Sequence, residues 1–221
     1  GIMYAMYGVF LLVVLNRYEM KQQMLTHKQN IWAIFKAVFQ DQKLLYFIAG
    51  GILISIGYSQ FDSTLPQFIN MNVEDGVKLF SYVIVANSIT VLSLQLPLTV
   101  MIEKMSIYAS LKMGIIIFSV GLFLFGLSDS AGMFIASMIV FSIGEIFCFP
   151  MMNAVIEEIA PDDQKGTYLG AAQLKNIGGF IGPIFGGWLL TFAIDWMYAI
   201  LAFVMISSIL IYRKALRGSE K

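Results

Sequence analysis

Residues Ala131 to Ile156 read AGMFIASMIVFSIGEIFCFPMMNAVI, an apolar stretch whose one charged residue is Glu145. The stretch exceeds the roughly twenty residues that a helix needs to cross a bilayer. An ionised carboxylate at mid-bilayer costs about 3 kcal/mol or more. The Glu145 side chain must therefore be protonated, paired, or turned toward water inside a protein cavity. That requirement makes it the first candidate functional residue of the chain.

The composition of the chain places it in a membrane. Of its 221 residues, 58% are hydrophobic and 13% are charged, which is more apolar surface than a soluble domain of this length can bury. A formal net charge of +0 favours no nucleic-acid partner. Cys148 is the single cysteine and His27 the single histidine, which excludes an internal disulfide and a His-Glu-x-x-His zinc site. We expect no metal, no cofactor, and a packing role for Cys148.

Six stretches are long and apolar enough to span a membrane. They cover residues about 44–68, 79–101, 111–128, 131–156, 168–192 and 195–212. The pattern predicts an all-α fold, a polytopic transmembrane helical bundle. Ahead of the spans, Ile2 to Leu15 is apolar but too short to cross a bilayer. We therefore expect it to be the end of a preceding helix, and the chain to be a fragment of a longer protein.

The positive charges predict the orientation of the bundle. If the spans alternate, every Lys and Arg outside the spans except Lys78 falls on one side, which is therefore the cytoplasmic side. The connection Asn16 to Lys43 lies on that side, and its apolar residues from Ile31 to Phe39 repeat at helical spacing. They predict either an amphipathic helix on the membrane surface or a linker helix packed on the bundle. The predicted segments are the helix end 1–15, the cytoplasmic linker 16–43, the bundle 44–213 and the cytoplasmic tail 214–221.

Polar residues are shared unevenly among the six spans. The third span, Met113 to Leu127, and the last, Met197 to Tyr212, carry almost none, so we expect both to face lipid. The other four spans are expected to enclose a polar interior. The candidate binding and proton-coupling residues on those spans are Tyr58, Asp62, Asn87, Glu145, Lys175 and Asn176.

Two of these candidates have alternative roles. Ser55, Tyr58 and Asp62 follow i, i+3, i+7 spacing and so line one stripe of the first span. Asp62 lies ~27 Å along that helix, where it is either a hydrated residue at the outer end or a proton or cation site. Lys175 either extends toward the cytoplasmic interface, forms a structural ion pair with Glu145, or takes part in transport.

The fifth span carries a strong backbone signal. Gly178, Gly182 and Gly186 form a GxxxGxxxG face with Pro183 in its middle, and such a face lets two helix backbones approach closely. In the fourth span, Pro150 removes one backbone hydrogen bond, so we expect a kink and a mobile cytoplasmic half-helix there.

These features together resemble the C-terminal half of a major facilitator superfamily transporter. The six spans, the long linker and the polar load on the first, second, fourth and fifth spans match helices seven to twelve of that family. In the resemblance, Ile2 to Leu15 is the end of helix six and the partner is the missing N-terminal six-helix half. Helices seven, eight, ten and eleven border the central cavity, and helices nine and twelve face lipid.

Three segments resemble multidrug:proton antiporters within the superfamily: Gln60 to Pro66, Gly144 to Pro150 and Ala160 to Gly170. In that resemblance, Asp62 and Glu145 match acidic positions implicated in proton coupling and in the binding of cationic drugs. Gly178 to Gly187 is similar to the antiporter glycine-proline motif, although it lies on helix eleven instead of helix five. The resemblance implies a plasma-membrane protein that moves protons and a lipophilic cation or drug.

The expected mechanism is alternating access of two six-helix halves around a midplane site. Burial disfavours the charged form of Glu145, whereas water or a cationic substrate favours it, and this difference links proton binding to substrate binding. The alternative is a proton-coupled peptide or nutrient symporter, because the Gly-Glu…Pro pattern of helix ten also resembles peptide transporters. Neither a Gly-x-Ser-x-Gly elbow nor a nucleotide loop is present in the sequence, so we do not expect an enzyme.

Overall fold

The computed structural model describes residues 40–162 and 164–216, and these residues contain helices and no strand. The expected all-α helical bundle is therefore confirmed for this part of the chain. Three expectations lie outside the described residues: the helix end at 1–15, the surface or linker helix within 16–39, and most of the tail. His27 also lies outside them.

The described chain forms nine α-helices and two short 3₁₀ turns. They are α1 (Gln42–Tyr58), α2 (Gln60–Ser63), α3 (Leu65–Asn72), α4 (Gly76–Ile102), α5 (Ile107–Leu127), α6 (Ala131–Ile159), α7 (Lys165–Ala172), the 3₁₀ turn Gln173–Asn176, α8 (Ile177–Phe192), the 3₁₀ turn Ile194–Trp196 and α9 (Met197–Ala215). The last helix extends two residues beyond the expected end of the bundle at residue 213.

Five helices in the described ranges are long and apolar enough to cross a membrane. They are Gln42–Ser63, Gly76–Ile102, Ile107–Leu127, Ala131–Ile159 and Ile194–Ala215. The expected span at 168–192 is not among them. The polar residues Lys175 and Asn176 lie in the 3₁₀ turn before α8, and α8 itself has only 16 residues, fewer than the roughly twenty that a span needs.

Local sequence explains where several helices begin. Asp41 caps α1, because its Oδ1 accepts hydrogen bonds from the backbone N–H groups of Lys43 and Leu44. Before α4, Asp75 adopts a left-handed conformation with φ 56°, and a Cβ on Gly76 would collide with the backbone of Asn70. The tight turn into α4 therefore requires glycine at that position.

The long helices pack in the order α4, α6, α5, α9, α1 and α8, each mainly against the next. The core between them consists of aliphatic and aromatic side chains. It includes the ring pairs Phe118–Phe141, with centroids 4.4 Å apart, and Phe68–Tyr198, with centroids 4.9 Å apart. Because α4 and α8 lie at the two ends of this order, each has only one principal neighbour.

The packing order determines how much of each span is exposed. The third span, α5, was expected to face lipid. It packs between α6 and α9, and half of its most apolar stretch is buried, which leaves the other half partly or fully exposed. Its large exposed apolar side chains lie on one stripe, Ile116, Val120, Phe123 and Leu127, and contact of this stripe with lipid stays a prediction. Among the five spans, α4 is the most exposed, since only 11% of its most apolar 18-residue stretch is buried. An apolar sequence does not distinguish a helix in contact with lipid from one buried among apolar neighbours.

The glycine face of α8 packs on α1 and α2 as expected. A Cβ on Gly178 would collide with the Ile52 carbonyl oxygen, one on Gly182 with Ser59 Oγ, and one on Gly186 with Gln60 Oε1. By contrast, a Cβ added to Gly179 or Gly187 would meet no atom within 4 Å. The small residues at four-residue spacing therefore bring the two helix backbones together.

Candidate functional site

Glu145 lies near the middle of α6 and is held by side chains from two other helices. The Tyr58 hydroxyl at the end of α1 donates to Glu145 Oε1 at 3.3 Å. Asn87 Nδ2, in the middle of α4, donates to Glu145 Oε2 at 3.0 Å. Each carboxylate oxygen thus accepts one hydrogen bond, an arrangement that suits the ionised form. Three helices that are far apart in sequence meet at this one carboxylate.

Asn87 is itself positioned by a buried hydroxyl. Its Nδ2 also donates to Ser142 Oγ at 2.9 Å, and the Ser142 hydroxyl donates to the backbone carbonyl of Met138 at 2.8 Å. Ser142 is fully buried and lies one turn before Glu145 on α6. The amide therefore bridges two side chains of one helix face. The sequence signal for Ser142 was its position three residues before Glu145, which puts the two side chains on the same face of a helix.

Aromatic rings surround the Tyr58 side of the carboxylate. The Phe149 ring meets Tyr58 edge-on at 5.0 Å, and the Phe141 ring lies nearly parallel to it at 6.3 Å. Phe61 continues the cluster, since it contacts both Phe141 and Phe80. Tyr58, Phe61, Phe80 and Phe149 are only partly buried, so the cluster that starts at the Glu145 partner Tyr58 keeps accessible ring surface. Ring faces beside a carboxylate are suited to an organic cation.

Asp62 lies one turn beyond Tyr58 and is exposed. It is close enough to Glu145 and Tyr58 for a Coulombic interaction, but it forms no hydrogen bond or ion pair with another described residue. The structure therefore places it near the site without placing it in the hydrogen-bonded group. Both expected alternatives for Asp62, a hydrated residue and a proton or cation site, stay open.

Lys175 and Asn176 do not join Glu145. Lys175 Nζ lies over the Phe47 ring, 5.7 Å from its centroid, and the lysine stem packs against Gly51. Among the described residues the one salt bridge is Lys165–Asp162, so the proposed Lys175–Glu145 ion pair does not form. Asn176 is exposed, and its Nδ2 donates to Gln173 Oε1 within the same 3₁₀ turn at 3.0 Å. The lysine side chain runs from Gly51 to Phe47, toward the start of α1, and its extension toward the cytoplasmic interface stays a prediction.

Pro150 does not end α6, which continues as helix to Ile159. Pro183 likewise lies inside the continuous helix α8. Each proline lacks an N–H group and so leaves one carbonyl of the preceding turn without its helical partner. The expected mobile half-helix at Pro150 stays a prediction. Cys148, two residues before Pro150, is fully buried, as a packing residue should be.

Sequence reasoning missed the role of Gln60. This side chain is fully buried, and its Nε2 donates to the Gly182 carbonyl at 3.0 Å and to the Ile56 carbonyl at 2.8 Å. Its Oε1 accepts from the Thr64 hydroxyl at 2.8 Å. Gln60 thus joins α2 to the middle of the glycine face of α8. A glutamine inside an apolar span was the available signal, because a buried amide requires partners.

No metal site is visible in the two described ranges, which contain no group of three or more His, Cys, Asp or Glu side chains able to hold an ion. The candidate site therefore consists of Glu145, Tyr58 and Asn87, with Ser142 and the aromatic rings around them.

Comparisons with known proteins place the chain among transporters. The sequence model of the Major Facilitator Superfamily matches residues 1–175 and, in a second overlapping match, residues 76–221. The chain is 30% identical to the uncharacterized MFS-type transporter YqjV of Bacillus subtilis (strain 168), over 85% of this chain and 46% of the relative. It is also 30% identical to the uncharacterized MFS-type transporter YdeE of Escherichia coli (strain K12), over 87% of this chain and 50% of the relative.

Two more distantly similar proteins have names that state an activity or a bound ligand. A Na(+), Li(+), K(+)/H(+) antiporter of Planococcus maritimus is 22% identical over 79% of this chain and 45% of its own length. A crystal structure of a POT family transporter in complex with a thioalcohol-conjugated peptide has a TM-score of 0.67 and 18% identity. The match covers 100% of this chain and 53% of the POT family chain. At this low identity the likeness shows the fold alone. The chain spans about half the length of the curated relatives that it matches.

Proposed function

Because the chain belongs to the major facilitator superfamily, we propose that it forms the C-terminal half of a secondary transporter that expels lipophilic cations in exchange for protons. Family membership and five apolar helices make it a multi-pass membrane protein. The finer proposal depends on one observation, the carboxylate of Glu145 held between three helices at mid-span. Because an ionised side chain at this depth is costly to keep in a membrane, we assign Glu145 a functional role.

The proposed coupling follows from the hydrogen bonds of Glu145. Hydrogen bonds from Tyr58 and Asn87 are stronger to a carboxylate than to a neutral acid, because the acceptor then carries charge. Protonation therefore weakens the contacts of α6 with α1 and α4, and loss of the proton restores them. A cation that binds beside the carboxylate favours the ionised form and so competes with the proton. Proton and substrate thereby bias the same three-helix junction in opposite directions.

The surroundings of Glu145 support an organic cation as the substrate. The partly exposed rings of Tyr58, Phe61, Phe80 and Phe149 offer cation–π contacts beside the negative charge. Asp62, one turn further out, is the proposed second acidic group on the route of the proton. Lys175, Asn176 and the two prolines inside continuous helices, Pro150 and Pro183, are proposed to act in the movement of the helices, not in contact with the cation.

The exposed faces of α4 and α8 support the proposed partner of this half. These helices stand at the two ends of the packing order and carry large exposed apolar side chains, among them Leu92, Leu96, Phe180 and Ile184. We propose that the N-terminal six-helix half and lipid cover them. The proposed location is the plasma membrane, with the linker and the C-terminus in the cytoplasm.

The test is transport by the full-length protein in inverted membrane vesicles. We expect a fluorescent lipophilic cation to accumulate when a proton gradient is imposed, and accumulation to stop when an uncoupler collapses the gradient. Parallel vesicles receive Na⁺, K⁺ or a labelled dipeptide. Exchange of alkali cations alone would support the activity named for the Planococcus relative, and dipeptide movement alone would support the symporter alternative. Either result contradicts the export of lipophilic cations.

A further inference from the structure

The hydrogen bond between Asp41 and Tyr168 lies at the start of α1 and has no part in the proposed transport site. The carboxylate of Asp41 uses both of its oxygens, one for each of two different helices. Oδ1 caps α1 through the N–H groups of Lys43 and Leu44, at 2.8 and 3.4 Å. Oδ2 accepts a hydrogen bond from the Tyr168 hydroxyl of α7 at 2.6 Å. This short, charge-assisted bond joins positions that are 127 residues apart.

The helix that contains Tyr168, α7, has only 8 residues and is followed by a 3₁₀ turn. Gln164 precedes α7, and the 3₁₀ turn Gln173–Asn176 separates α7 from α8. A 3₁₀ stretch inside a longer helix has poorer hydrogen-bond geometry and commonly marks a hinge. The face of α7 toward α1 and α6 is buried through Tyr168, Ala171 and Ala172, whereas Gly166 and Gly170 face open space. The buried side chains of α7 therefore lie on one face of the helix, and its two glycines lie on the open side.

The 3₁₀ turn also carries Lys175, whose stem lies against Gly51 and whose ammonium lies over Phe47. A Cβ on Gly51 would come within 2.7 Å of the Lys175 Cβ, so the turn sits directly on the α1 backbone. Any rotation of α7 about this turn must move Lys175 relative to α1. The position of Asp41 and the position of Lys175 are thus linked through one short helix.

We propose that the Asp41–Tyr168 hydrogen bond is a latch that holds α7 against the start of α1. Its release lets α7 turn about Gln173–Asn176 and lifts Lys175 from Gly51 and Phe47. The latch links the residue at which the linker meets the bundle to a charged side chain inside it. A single hydrogen bond is weak enough to open and close repeatedly. The latch acts on helix position and does not depend on which substrate is carried.

The test measures how often the buried face of α7 becomes accessible. Ala172 is 2% exposed, and Ala171, at 3%, serves as a second reporter position. Each is replaced by Cys in the full-length protein, in a background without other accessible cysteines, and the rate of reaction with a water-soluble maleimide is measured. Tyr168→Phe keeps the ring and removes the hydroxyl. Asp41→Ser keeps a good helix cap but is too short to reach Tyr168.

Both variants are expected to raise the labelling rate about ten- to a hundredfold, the factor that corresponds to losing one hydrogen bond to a charged acceptor. The double variant is expected to label no faster than Tyr168→Phe alone, because Tyr168→Phe already removes the hydroxyl that donates to Asp41. The matched control is Lys165→Gln, which removes the exposed Lys165–Asp162 pair from the same helix and should leave the rate unchanged.

Unchanged labelling in Tyr168→Phe overturns the latch, as do additive effects in the double variant. An increase in Asp41→Ser alone also overturns it, since the helix cap would then be the cause. An equal increase in Lys165→Gln would show that any substitution in α7 loosens this helix, and it would also contradict the latch. If Asp41→Ser does not yield folded protein, the comparison of Tyr168→Phe with Lys165→Gln decides the question.

Discussion

Glu145→Gln is expected to abolish proton-driven accumulation of lipophilic cations by the full-length protein. Glutamine has nearly the same size and can still hydrogen-bond to Tyr58, so the junction of α1, α4 and α6 should persist. It cannot lose a proton, however, and it offers no negative charge to a cation. Loss of a group that transfers a proton typically lowers rates by about a hundredfold or more. The measurement is the initial rate of dye accumulation in inverted vesicles at a fixed proton gradient.

Glu158→Gln is the matched control for this variant. Glu158 lies on the same helix and has the same chemistry, but it is exposed near the end of α6. Its neutralisation should leave the rate within about twofold of wild type, since an exposed charge interacts weakly. Retention of proton-driven transport in Glu145→Gln would show that another acid, with Asp62 the nearest candidate, carries the proton.

Gly178→Ala is expected to destabilise the bundle by about 1–3 kcal/mol. The added methyl would collide with the Ile52 carbonyl oxygen and approach the Ser55 Cβ at 2.8 Å. Because the first of these atoms belongs to the backbone, α8 must move away from α1 to relieve the contact. The measurement is the thermal unfolding midpoint of the purified full-length protein in detergent, compared with wild type.

The neighbouring residue supplies the control. Gly179 lies one position further along α8 and has open space where a Cβ would stand. Gly179→Ala should be neutral, or stabilising by up to about 1 kcal/mol because alanine favours helix more than glycine does. Equal destabilisation by the two alanines would mean that glycine serves helix flexibility here, not close packing on α1.

Local patterns in the sequence predicted much of the candidate site. Glu145 stands out because a lone carboxyl group in an apolar span is costly, and helical spacing placed Tyr58 on one stripe with Ser55 and Asp62. The glycine face of α8 was correctly predicted to be a packing surface, since four-residue spacing of small residues has one common structural use. The sequence also suggested Asn87 as a pocket residue. The structure brings its amide to the carboxylate.

Features that depend on tertiary contacts could not be predicted in the same way. The partner of Gln60 is a backbone carbonyl of α8, and nothing in the local sequence identifies it. Lys175 was as compatible with a Glu145 ion pair as with its observed position over Phe47, because a lysine side chain can reach in several directions. The exposure of α4 and the burial of α5 follow from the order in which the helices pack, which hydropathy does not encode.

The most direct measurement of the central claim is proton release on substrate binding. A lipophilic cation is added to the purified full-length protein in weakly buffered detergent solution, and the pH change is recorded with a dye. We expect wild-type protein to release protons as the cation binds, because the bound charge favours the ionised form of Glu145. Glu145→Gln should release none. Cation binding without proton release by the wild type, or equal release by both proteins, would contradict the claim that this carboxylate exchanges a proton for the substrate.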